Sequence, residues 1–151
     1  MKLQLSVQYA TARAGLPAKS TLQRWSRAVL RGLARQHIAL GVRIVGVAES
    51  AALNQQFRRK HGPTNVLSFS FEAPSGTRSE TLGDLVICAP VVRREARAQH
   101  KPVRAHWAHM VVHGILHLRG YDHLNRQDAT AMEKKEIRIL KELGFANPYL
   151  S

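Results

Sequence analysis

Cysteine is almost absent from this chain: Cys88 stands alone among 151 residues. No disulfide framework can form within it, and a structural zinc site built from several thiolates is excluded too. Acidic residues are scarce, 10 Asp and Glu against 23 Lys and Arg, for a formal charge of +13. That excess turns the chain away from basic partners and toward polyanions, nucleic acid first and anionic membrane surfaces second. Long apolar runs are missing as well, and no stretch approaches the ~20 residues that cross a bilayer. The first nine residues alternate polar and apolar side chains, where a secretory signal would be continuously apolar. The expected compartment is the cytoplasm, without membrane attachment. No repeat, low-complexity tract or linker divides the sequence, so residues 1–151 are expected to form one domain.

What is present is periodic. Leu3, Leu5, Val7 and Tyr9 recur with period two and predict a half-buried strand. A helix capped by Ser20 or Thr21 is expected to run to about Gln36, facing inward through Leu22, Trp25, Val29, Leu30 and Leu33. Val42 to Val47 reads as a second strand. Ser50 is expected to cap a short helix ending near Phe57. Val66, Leu67, Phe69 and Phe71 mark a third strand and Gly83 to Ala89 a fourth, with a loop at 73–76 between them. Pro90 suits the first turn of a helix ending near His100, Pro102 opens a long one, and a last helix spans about Gln127 to Leu143 before Gly144. This order predicts an α/β (α+β) fold, one small mixed sheet of about four strands covered by about five helices.

Two basic clusters stand out. Arg24, Arg27, Arg31 and Arg35 fall at helical spacing, and Arg58, Arg59 and Lys60 are consecutive. A solvated face and an RNA contact are both open readings for each.

The segment that carries most chemistry is His113-Gly-Ile-Leu-His117-Leu-Arg-Gly-Tyr-Asp-His123. On a helix His113 and His117 project from one face, a turn apart. Gly120 suits the left-handed turn that ends a helix and would swing His123 back toward them. Three neutral nitrogen donors without a fourth protein ligand are the pattern of a catalytic zinc, one ion per chain, whose remaining position takes water. The spacing matches that of metzincin proteases, but Gly114 stands where those enzymes place their general-base glutamate. Ordinary zinc peptidase chemistry is therefore disfavoured. A metal-free, His-rich buried helix is the plainer alternative, and three histidines at ligand spacing with a helix-ending glycine weigh against it.

These residues resemble the signature of the YbeY family, bacterial endoribonucleases of rRNA maturation. Two further blocks are similar: Leu53-Asn54 with Phe57-Arg58 followed by Thr64 to Phe69, and Leu82-Gly-Asp-Leu-Val-Ile87. The approach from Ala105 to Val112 is similar too, so the resemblance runs over roughly residues 3 to 150 in the right order. Ser70 departs from it, since the family often carries Pro after Ser-Phe. The resemblance implies a small α/β domain with zinc in a cleft, held by His113, His117 and His123, with Arg58 as the functional arginine. It also implies action at the 3′ end of small-subunit rRNA and in ribosome quality control. The implied partners are rRNA and the small ribosomal subunit, with a small-subunit ribosomal protein and a ribosome-associated GTPase.

On this reading zinc makes hydroxide available near neutral pH, and Arg58 holds the scissile phosphate by its planar fork. Asp122 either orients a ligand imidazole or caps the turn at Gly120, and the cap is the favoured reading. His109 and His106 lie one and two turns before His113, each a cleft group or, more simply, a packed histidine. No convincing general base is legible. The competing function is a non-catalytic RNA-binding ribosome-assembly factor with a structural zinc, and a zinc hydrolase of another substrate, such as a peptidase, is a third.

Overall fold

A computed structural model of the chain describes residues 1–77 and 79–150. Strands β1 (Lys2–Ala10), β2 (His37–Val45), β3 (Val66–Ser70) and β4 (Thr81–Cys88) form one mixed sheet in the order β1-β2-β4-β3. β1 and β2 run parallel over their whole length, β2 and β4 are parallel, and β3 folds back antiparallel on β4 as an edge. Helices α1 (Lys19–Leu30), α2 (Val47–Arg58), α3 (Ala89–Ala98), α4 (Val103–Leu118) and α5 (Arg126–Glu142) cover it. The fold is the expected α/β arrangement. No helix among the described residues is long and apolar enough to cross a membrane.

The period-two strands divide their side chains between two cores. Leu3, Leu5, Ile38, Leu40, Leu85 and Ile87 pack on one face with Leu22, Trp25 and Val29 of α1 and the apolar residues of α4. Val45, Leu67, Val86 and Cys88 pack on the other with Val91 and the half-buried Leu53 of α2. α4 lies at the centre, against α1, α3, α5, β3 and β4. It is buried on nearly every side, which is why its sequence is apolar all round instead of showing one stripe.

Three elements differ most from expectation. α1 begins after Ala18 with no side-chain cap and ends at Leu30, because Gly32 sits at a φ of 90° and breaks the helix. β2 starts at His37, not Val42, since each residue of β1 takes a parallel partner there. α2 starts after Gly46, not at Ser50. Ser50 is buried inside the helix, where its hydroxyl donates to the Thr64 carbonyl and accepts from the Thr64 amide, both at 3.0 Å. It ties α2 to the segment entering β3.

Candidate metal centre

α4 ends in a paired-bond turn. The Gly120 amide bonds the His117 carbonyl at 3.0 Å and the Tyr121 amide bonds the Leu116 carbonyl at 3.0 Å. Gly120 itself lies at a φ of 100°, in the left-handed region that favours glycine. The reversal brings His123 back over the last turn of α4. Ring centres then lie 4.7 Å apart for His113 and His117, 5.0 Å for His117 and His123, and 5.9 Å for His113 and His123.

One nitrogen from each of the three rings lies within 4.8 Å of the others. A tetrahedral ion with metal–nitrogen bonds of ~2.0–2.1 Å separates its ligand nitrogens by roughly 3.4 Å, a distance that small ring rotations supply. Burial lowers the pKa of His117, and the neighbouring His113 and His123 lower it further, so its lone pair is free for a metal. The donor set fits a metal ion.

Gly114, beside the first of these histidines, faces the sheet. A Cβ there would lie 2.7 Å from Cδ2 of Leu85 and 3.2 Å from Cγ2 of Val66. The Ser68 hydroxyl of β3 also donates to the Gly114 carbonyl at 3.0 Å. Helix and sheet pack closely at this point, and any larger residue would have to displace the Leu85 side chain. The missing glutamate is therefore a matter of direction as well as identity: position 114 does not look at the imidazoles.

The imidazoles open into a cleft of about 760 Å³ between the edge strand β3, the end of α2 and the turn after α4. Arg58, the last residue of α2, stands on its wall with Asn65, Ser68, Ser70 and Asp122. Its position is held from both sides. Arg59 caps the helix at a left-handed φ of 55°, and the amide of buried Asn54 donates to the Gly62 carbonyl at 2.9 Å. Arg59 and Lys60 follow, exposed, on the loop just beyond. Asp122 accepts the backbone amide of His123 at 2.7 Å, whereas the Gly120 and Tyr121 amides bond helix carbonyls, and it is the one carboxylate among the described residues that line the cleft.

Arg24, Arg27 and Arg31 do not line it. Arg24 and Arg27 are exposed on α1 and Arg31 just beyond its end; Arg27 reaches the Met1 carbonyl at 3.5 Å and Arg31 lies 3.6 Å from Glu142.

Sequence reasoning missed the carboxylates behind the histidines. Nε2 of His109 lies 2.5 Å from Glu136 on α5, and Nδ1 of His113 lies 3.5 Å from the other oxygen of the same carboxylate. The Tyr149 hydroxyl donates to Glu136 at 3.0 Å. One turn earlier, Nε2 of His106 lies 2.9 Å from Glu95, which also accepts from Asn65 at 3.1 Å. A signal for Glu136 did exist: it falls in the buried stripe of α5 with Met132, Ile139 and Leu140. A carboxylate in an apolar stripe has a partner.

The chain is similar to known proteins over nearly its whole length. The family described as Endoribonuclease YbeY matches residues 8–144. Endoribonuclease YbeY of Methylococcus capsulatus is 53% identical over 97% of this chain and 95% of its own length. That of Alkalilimnicola ehrlichii is 56% identical over 97% and 91%, and that of Coxiella burnetii 48% over 97% and 98%. A Thermotoga maritima protein known by its solution structure is 25% identical and superposes with a TM-score of 0.64 over 93% of this chain and 89% of its own.

Proposed function

The chain belongs to the YbeY endoribonuclease family, and from that premise we propose that it is a zinc-dependent endoribonuclease. Its substrate on this reading is single-stranded rRNA, cut during maturation of the small ribosomal subunit's 3′ end in the cytoplasm. One observation carries the reading: Arg58 and the three convergent imidazoles share one open cleft.

His113, His117 and His123 would hold one zinc ion per chain. Zinc held by three imidazoles supplies Lewis acidity and acidifies water at neutral pH. Arg58 presents a planar fork of donors to a phosphate across the cleft and stabilises the charge that grows on its oxygens. Arg59 and Lys60 extend the same positive edge, which favours a polyanionic strand lying along β3. Asn65, Ser68 and Ser70 offer neutral hydrogen bonds along that path. Asp122 holds the backbone of His123 and so fixes the entry of the third ligand. The small-subunit ribosomal protein and the ribosome-associated GTPase implied by the resemblance belong to the proposal as partners.

The test pairs metal content with cleavage of one single-stranded RNA by the wild type and by His117→Ala. The expected result is about one zinc per wild-type chain and at least a ~100-fold loss of cleavage in a mutant that keeps its circular dichroism. Undiminished cleavage by a folded, metal-free His117→Ala would overturn the proposal. RNA binding without cleavage by the zinc-loaded wild type would make the protein a non-catalytic assembly factor.

A further inference from the structure

Glu136 is 1% exposed, yet its carboxylate is the meeting point of three side chains, two from α4 and one from the segment after α5. His109 approaches one oxygen at 2.5 Å, His113 the other at 3.5 Å, and the Tyr149 hydroxyl lies 3.0 Å from both. A carboxylate oxygen only accepts, so each ring nitrogen facing it carries a proton. For His113 this assigns the proton to Nδ1 and leaves the Nε2 lone pair as the metal donor.

Donors from both imidazoles and from the Tyr149 hydroxyl converge on the Glu136 carboxylate, and hydrogen bonds of this kind favour its ionised form. Burial and the adjacent carboxylate push the Tyr149 phenol up, which keeps it a donor at all ordinary pH. Tyr149 lies on the segment after Gly144, and Lys101 fastens that segment through the Pro148 carbonyl.

We infer that Glu136 is the positioning residue of the metal centre, fixing the tautomer and aim of His113 while His109 and Tyr149 hold its carboxylate in place. The inference rests on the metal reading of the three histidines. A stability role alone explains the arrangement poorly, because a buried polar cluster of this kind is commonly replaced by apolar residues without loss. Met132, Ile139 and Leu140 already fill the rest of that stripe. A second ion among His109, His113 and Glu136 is a poorer account, since the His109–Glu136 separation of 2.5 Å is that of a hydrogen bond and well short of the roughly 3.4 Å between two ligand atoms of a tetrahedral ion. A carboxylate behind a ligand imidazole also raises the basicity of the coordinating nitrogen.

The experiment measures zinc affinity by chelator competition for the full-length wild type, Glu136→Gln and Tyr149→Phe. Circular dichroism of each metal-free protein reports folding, and the visible spectrum of the cobalt-loaded form reports ligand geometry. Glu136→Gln is expected to fold, bind zinc ~10–100-fold more weakly and shift the cobalt bands. Tyr149→Phe, half-exposed and mild, is expected to weaken zinc by roughly threefold to tenfold. A folded Glu136→Gln with wild-type affinity and spectrum would overturn the inference. Should Glu136→Gln not fold, wild-type affinity in Tyr149→Phe would overturn it instead. Failure of the wild type to bind one zinc per chain would sink the metal reading itself, which is a separate result.

Discussion

The two ends of α4 carry the same residue, a turn apart in each case, and put it to different uses. His106 and His109, toward the start, are buried, and each has Nε2 against a carboxylate, Glu95 or Glu136. Their Nδ1 atoms have no hydrogen-bond partner among the described residues. His113 and His117, toward the end, are half-buried, open into the cleft and meet His123 instead. Spacing therefore chooses the helix face, while depth in the fold and the presence of an acceptor choose between tether and ligand. His113 belongs to both ends, with one ring nitrogen toward Glu136 and the other free for the cleft.

Gly114 lies where the two ends join, and replacing it should break the comparison most severely. Gly114→Glu would drive a charged side chain into Leu85 and Val66, and is expected to cost at least ~3 kcal/mol of stability in chemical denaturation. It is also expected to confer no cleavage of casein, since a side chain there points at the sheet. A Gly114→Glu protein with the wild-type denaturation midpoint would show that α4 has room where the geometry leaves none.

Arg58 sharpens the contrast at the cleft end alone. Arg58→Ala is expected to lower RNA cleavage by roughly 100-fold, the usual loss when a donor to transition-state charge is removed. Its zinc content should stay at the wild-type value, because the ligand set is the three imidazoles and does not include Arg58. Arg58→Lys should recover only part of the activity, since a point charge lacks the planar fork. Loss of zinc in Arg58→Ala would move this residue from the substrate to the metal.

The cleft end was legible in the sequence because it is local. Two histidines a turn apart, a helix-ending glycine and a third histidine three residues later are all short-range information, and Gly120 adopts the expected left-handed turn. Strand periods were equally local, so the α/β class could be read from Leu3, Leu5, Val7 and Tyr9 onward. The buried end was illegible because its meaning sits elsewhere in the chain. Glu136 is 27 residues from His109, and nothing in spacing connects them. Ser50 misled for the same reason: beside a helix start it resembles a cap, but its partner Thr64 is 14 residues away. The basic ridge shows the converse limit, since regular spacing predicts that Arg24, Arg27 and Arg31 share a helix face, while α1 stops before Arg31 and the cleft lies elsewhere.

The subtlest test concerns the buried end in acid. Burial lowers the pKa of His106 below its usual 6.5, outweighing the opposing pull of Glu95. In the unfolded chain this imidazole takes up a proton as pH falls through 6.5, while in the folded protein it stays neutral to lower pH. The unfolded state then binds more protons, so stability is present above that pH and is lost progressively below it. Glu136 works in a lower window: its support is present above the ordinary 4.5 and is lost as pH falls from there toward about 2. Denaturation of the metal-free protein at a series of pH values should separate the two. His106→Asn is expected to flatten the decline that begins near pH 6.5 and leave the steeper loss below pH 4.5 in place. His117 is also depressed by burial and contributes in the upper window, but it is common to both proteins and cancels in the difference. A decline identical in wild type and His106→Asn would mean that His106 is charged in the folded protein. In that case Glu95 would hold it as an ion pair, and the two ends of α4 would differ in charge as well as in partner.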